Sequence, residues 1–152
     1  MKSRILVLLI GNIRYDGRVK KIISSLQKFE YEIILVVTDF DEDDSFSNYN
    51  YKIHVVNPPS GPRLVDRIRN KFRYRKSIDR IIKQENPDFI HCNDTTIFYV
   101  SRWLKRIKIV YDSHELLIEL EVGLMRIIKH LFLKRILANV YKIIIPQIDR
   151  LN

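Results

Sequence analysis

A chain of 152 residues is long enough for one domain with a real core and too short for two ordinary ones. Hydrophobic residues at 46% and charged residues at 30% exclude a disordered chain, and the single cysteine, Cys92, excludes an intrachain disulfide framework. The net charge of +9 points to an anionic partner, whether nucleic acid, membrane surface or phosphorylated ligand, without choosing among them.

In chain order, "RILVLLI" (4–10) reads as a strand buried on both faces. Lys2 and Arg4 before it imitate a signal peptide, but the apolar run is short and no small-residue cleavage site follows. Residues 16–30 predict a helix, with Val19, Ile22, Ile23 and Leu26 at helical spacing. "EIILVVT" (32–38) is a second buried strand, followed by an acidic surface loop with five carboxylates between Asp39 and Asp44. "KIHVV" (52–56) is a third strand, and "NPPSGP" (57–62) breaks the chain. A long basic helix or helix pair spans 63–85. "DFIHC" (88–92) is a fourth strand, 95–106 a helix, "KIVYD" (108–112) a fifth strand, 119–138 a helix, and "KIII" (142–145) a sixth strand closed by Pro146. No apolar run approaches the ~18–20 residues that span a bilayer, so the expected location is the cytoplasm, with peripheral contact at the inner membrane face.

Buried strands alternating with helices predict an α/β single domain: a Rossmann-like doubly wound parallel sheet of about six strands with helices on both faces. In the order 3-2-1-4-5-6 the switch point lies between strands 1 and 4, and ligands bind beyond the carboxyl ends of the strands there. Three loops should meet at that crevice: "GNIRYDGR" (11–18), "NDTT" (93–96) and "DSHE" (112–115).

The first loop has neither G-x-G-x-x-G nor a P-loop pattern, so it is not a standard dinucleotide or ATP cradle. Gly11 and Asn12 suit a tight turn because both tolerate positive φ. Asp16 can cap the first helix or meet a ligand. Arg18 stands near a helix N-terminus, where cations are disfavoured, and a carboxylate or ligand partner would explain it. Asn93 and Asp94 can cap the next helix or contact a ligand. His91 and Cys92 read as a packed histidine and a buried thiol, because no second cluster supplies the remaining ligands of a metal site. Asp112, His114 and Glu115 follow the fifth strand, where His114 can carry a proton or donate a hydrogen bond near neutral pH.

Arg63 to Lys83 contains nine Lys/Arg against two Asp, a net of +7, with Leu64, Ile68 and Phe72 in one apolar stripe. Such runs are most often solvated helix faces, but this density suits anionic lipid head groups. Segment 124–135 adds Arg126, Lys129 and Lys134 beside Leu124, Ile127, Ile128, Leu131 and Phe132.

Four stretches together resemble the N-terminal domain of GT-B-fold glycosyltransferases of family 4. They are "DGRVKKIISSLQKFEYEIILVVT", "PDFIHCND", "IVYDSHELLIE" and "KRILANVYKIIIP", which run nearly end to end. The resemblance implies that 1–152 is one half of a GT-B fold, the half that mainly holds the acceptor. The donor-binding C-terminal domain, with its paired glutamates eight positions apart, is expected from a longer chain or a partner subunit. It implies transfer of a sugar, with retention of configuration, from a nucleotide-sugar donor to a glycan or lipid-linked acceptor, with no metal and no cofactor beyond that co-substrate. His114 is placed near the transferred sugar, Asp16 and Arg18 on the cleft side of the first helix, and Asp94 at the cleft floor. One departure is Gly11-Asn12 where the family often carries Gly-Gly. Two other readings remain: a non-catalytic subunit that binds the acceptor and recruits a catalytic partner, and a basic nucleic-acid binder, which lacks a reading helix or an aromatic platform.

Overall fold

The computed structural model describes residues 2–40, 51–113 and 134–144. Six strands form one sheet: β1 (Arg4–Leu8), β2 (Glu32–Val37), β3 (Tyr51–Val55), β4 (Phe89–Asn93), β5 (Lys108–Asp112) and β6 (Lys142–Ile144). Their order is β3-β2-β1-β4-β5-β6, and every adjacent pair is parallel. This is the doubly wound order, with the switch point between β1 and β4.

The apolar runs of β1, β2 and β4 cover both faces because helices pack on each side. Ile5, Val7, Ile33, Leu35 and Val37 meet Val19 and Ile23 of helix α1 (Gly17–Lys28) on one face. Leu6, Leu8, Ile34, Val36, Ile90, Cys92, Ile109 and Tyr111 meet the opposite layer. That layer holds Tyr74, Ile78, Ile81 and Ile82 of helix α2 (Leu64–Glu85), Ile97 and Val100 of the short helix α3 (Ile97–Val100), and Ile136 from a final helical turn at 134–137. Period-two alternation along each strand thus divides the core into two sheets of contacts.

Element bounds depart from expectation in instructive places. β1 stops at Leu8 rather than residue 10, and beyond it the chain turns at Gly11 with φ 138°. β3 is only partly buried, as its place at the sheet edge dictates. Segment 63–85 is one helix, not two, closed by Asn86 in the left-handed region with φ 44°, whose N–H bonds the Ile82 carbonyl at 2.9 Å. The expected helix 95–106 is instead a 3-10 turn (Asp94–Thr96), α3, and a second 3-10 turn (Ser101–Trp103). Thr95, Thr96, Ile97 and Val100 are β-branched, and Thr96 Oγ1 and Ser101 Oγ donate to backbone carbonyls of Asn93 and Phe98, which competes with a regular helix. The acidic loop at 41–50, and residues 119–133 of the last predicted helix, lie outside the described residues.

Two polar pins fasten α2. The buried Asp79 carboxylate accepts from Trp103 Nε1 at 2.8 Å and Arg102 Nε at 2.7 Å. At the helix end, the buried Glu85 carboxylate meets Lys52 Nζ at 2.7 Å and His54 Nε2 at 3.0 Å from the edge strand.

Candidate functional site

The first two predicted loops and the described start of the third, Asp112 and Ser113, lie at the carboxyl ends of β1, β4 and β5. The first begins with Gly11, whose positive φ is a conformation L side chains rarely adopt. Its N–H donates to Thr38 Oγ1 at 2.8 Å, and Asn12 bridges to Asp39, so the loop is tied to the end of β2. Asn12 itself is extended, with φ −100°, contrary to the expectation that it shares the positive-φ turn. Its Oδ1 instead accepts from Arg14 N at 2.8 Å and caps a 3-10 turn at Ile13–Tyr15.

Asp16 caps α1: Oδ1 accepts from the backbone N–H groups of Arg18 and Val19 at 3.1 and 2.9 Å. The capping reading accounts for its position, and it fixes the direction of the first helical turn. That turn aims Arg18 across the switch point. Nη1 of Arg18 donates to Asp112 Oδ1 at 3.1 Å, and Nη2 lies 3.8 Å from Asp94 Oδ2. The cation at a helix N-terminus is therefore explained by two carboxylates, one from the end of β5 and one from the loop after β4. Arg18 Nε and Nη2 are buried and make no hydrogen bond among the described residues.

Asn93 and Asp112 are register partners at the last level of the sheet. Asn93 stands at the N-cap position of the 3-10 turn Asp94–Thr96 but its side chain makes no capping bond. Its Nδ2 donates to the Leu8 carbonyl at 2.8 Å, which clips the ends of β4 and β1 together, while its Oδ1 has no hydrogen-bond partner among the described residues. Asp94 takes φ 49°, which turns the chain sharply directly after β4. His91 sits two register positions below, on the same face of the sheet as Asn93, Asp112 and α1. It is buried, with Nε2 3.7 Å from Asp112 Oδ2. Cys92 points to the opposite face, and burial pushes its thiol above its ordinary range. Among the described residues no group of three His, Cys, Asp or Glu could hold a metal ion.

The structure thus brings together Gly11, Asn12, Asp16, Arg18, Asn93, Asp94 and Asp112. His114 and Glu115 lie outside the described residues, two and three positions beyond Asp112. Two crevice residues escaped the sequence reading. Thr38 holds Gly11, and its signal was only its place at the end of the second strand. His91 read as core packing, and nothing in its spacing revealed the neighbouring Asp112.

The arrangement is a charge-braced crevice. One guanidinium bridges carboxylates from separate loops, and a buried amide locks the central strands. Such a site holds polar ligand groups against a rigid edge. A groove of about 440 Å³ opens beside it under α1, lined by Arg18, Ile22, Phe29, Phe89, His91 and Val110 among others.

The profile described as Glycosyltransferase Family 4 matches residues 18–148. No curated protein matches the chain. Among solved structures, MurG from Acinetobacter baumannii is similar over 94% of this chain and 41% of its own, with a TM-score of 0.61 and 12% identity. A glycosyltransferase from Rickettsia africae ESF-5 is similar over 95% and 42%, with a TM-score of 0.59 and 16% identity. A protein from Listeria monocytogenes described as a UDP-N-acetylglucosamine 2-epimerase is similar over 73% and 30%, with a TM-score of 0.56 and 18% identity. The chain therefore spans less than half the length of each of these proteins. At such identities the likeness establishes the fold alone, and the fold is shared by proteins described with different activities.

Proposed function

Because the chain belongs to Glycosyltransferase Family 4, we propose that its 152 residues are the acceptor-side domain of a retaining glycosyltransferase, one half of a GT-B fold. The complete enzyme moves a sugar from a nucleotide donor to a glycan or lipid-linked acceptor, in polysaccharide or glycoconjugate assembly at the cytoplasmic face of a membrane. The nucleotide sugar is a co-substrate, and the reaction needs no metal or further cofactor. The donor-binding half comes from elsewhere in a longer protein or from a partner subunit.

The observation that carries this reading is the family match over 18–148, which takes in Arg18 and the loops after β4 and β5. The braced crevice supports it physically. The Arg18–Asp112 pair fixes the end of β5 two residues before His114. In this reading His114 hydrogen-bonds the transferred sugar and stabilises charge as the bond to the diphosphate breaks. Glu115 and Asp94 hold sugar or acceptor hydroxyls. Gly11 and Asn12 form the wall nearest the departing diphosphate.

The test uses a protein that contains the donor half as well. Incubated with a panel of nucleotide sugars, it should form product with the donor's anomeric configuration by NMR, and EDTA should leave the rate unchanged. An inverted product would overturn retention. His114→Ala should lower kcat about a hundredfold or more, in line with loss of one preorganised donor, while the melting temperature stays in place. A lowered melting temperature with normal turnover of the folded fraction would make His114 a packing residue.

A further inference from the structure

The first half of α2 has a property that neither the core nor the crevice uses. No residue from 61 to 73 is buried, so roughly ten residues of helix, about 15 Å, project beyond the domain before Tyr74 meets the core. Four large apolar side chains sit on this projection. Leu64 is 73% exposed, Val65 72%, Ile68 50% and Phe72 69%. At 100° per residue they fall within roughly a 100° arc, so they form one ridge. A depression of about 220 Å³ extends the ridge toward α3, lined by Ile68, Lys71, Phe72, Arg75, Phe98 and Tyr99.

Cations surround and follow the ridge. Residues 63–76 carry seven Lys/Arg against one Asp. Behind Phe72 the outward side of the helix turns basic, and Arg75, Lys76, Arg80 and Lys83, with Phe72 and the Asp79–Arg102 pair, line a cavity of about 620 Å³. An apolar tip backed by a basic collar matches the layering of an anionic leaflet, with acyl chains inside and phosphates above them.

The placement in the fold is also specific. All strands run parallel, and β3 ends at Val55, on the crevice edge of the sheet. After α2 the chain is back at the opposite edge, where the Asp88 N–H bonds the Arg4 carbonyl at 3.0 Å. The Leu64 end of α2 therefore lies on the same side of the domain as the crevice.

We propose that the projecting half of α2 is a membrane anchor. Leu64, Val65, Ile68 and Phe72 enter the acyl boundary of an anionic leaflet, and Lys71, Arg75 and Lys76 take lipid phosphates. Docking in this way turns the crevice rim toward the bilayer. The consequence that the acceptor is lipid-carried rests on the transferase reading above; the anchoring does not.

The full chain is tested by flotation with vesicles of phosphatidylcholine alone, and with about 30% phosphatidylglycerol, at low and high salt. Wild type should float with the anionic vesicles, and part of that binding should survive about 0.5 M salt, where pure charge attraction is screened. Changing Leu64, Val65, Ile68 and Phe72 together to Ser should weaken binding about tenfold or more and leave the melting temperature unchanged, because these side chains are largely solvent-exposed. A Phe72→Trp variant should show a blue-shifted emission with anionic vesicles that brominated acyl chains quench. Three results would overturn the anchor: no binding by wild type, equal binding by the Ser variant with complete release of both by salt, or a wild-type dimer that the Ser variant abolishes and vesicles do not dissociate. Membrane binding without glycosyl transfer by the complete protein would sink only the transferase reading. Transfer to a lipid-linked acceptor without ridge-dependent binding would sink only the anchor.

Discussion

Arg18 links local chain chemistry to the site more directly than any other described residue. A cation in the first turn of a helix opposes the macrodipole, and the expected cost is a few tenths to about 1 kcal/mol. Asp112 offsets it. Its side chain is 3% exposed, and the 3.1 Å contact spans 94 positions of sequence. Replacing Arg18 with Met removes the cation and leaves a buried carboxylate without its partner. Breaking fully buried pairs costs about 3–5 kcal/mol, but Arg18 is 27% exposed, so a loss of about 2 kcal/mol in urea unfolding is expected. Asp112→Asn, which keeps an acceptor oxygen, should lose less. Equal stability of wild type and Arg18→Met would show that the pair does not brace the crevice. Asp16 makes the opposite point: its residue type and position already offered a cap for α1 as one of two roles, and its side chain caps the helix.

Edge strand β3 illustrates how one element is secured. Among the described residues it has no second neighbour, it is half-exposed, and it carries polar Lys52 and His54 on the face that its neighbour β2 turns to the core with Ile34 and Val36. Glu85, at the end of α2, collects both. The hydrogen bond from Lys52, and then that from His54, hold the Glu85 carboxyl below its ordinary range despite its burial. A carboxyl depressed in the folded state stabilises above its unfolded pKa of about 4.3, and that contribution disappears as pH falls through the lower folded value. Glu85→Gln should therefore cost about 1–3 kcal/mol at pH 7 and progressively less in acid. Chemical denaturation at pH 7 and at pH 4 measures the difference, and a pH-independent loss would refute the linkage. The strand itself was readable from "KIHVV", but its exposure was not, because edge position follows from strand order. The breakdown of 95–106 into short turns was equally hidden: its apolar spacing suits a helix, while its β-branched residues and side-chain-to-carbonyl bonds favour short turns.

Taken whole, the molecule presents a rigid sheet with polar loops at one edge, and the side chains that act on a departing diphosphate are expected from a second half. The 152 residues alone should therefore give no transfer from any nucleotide sugar, while the same residues joined to or mixed with the donor half should. Product formation by the 152 residues alone would mean that the crevice itself carries the donor chemistry. Among the described residues no helix is long and apolar enough to cross a membrane, and the contact proposed for the α2 projection is one at a bilayer surface.

By itself the amino-acid sequence determined the alternation of buried strands and helices, the parallel doubly wound sheet with its switch point, and the family. Those properties are written in local periodicity and in short motifs, where each residue's neighbours along the chain carry the signal. Tertiary structure alone decided that Arg18 reaches Asp112, that Asn93 clips Leu8 rather than capping a helix, and which stretch of α2 is left uncovered. Such pairings join positions as many as 94 residues apart, and they depend on strand order and on what packs alongside, which no local pattern records.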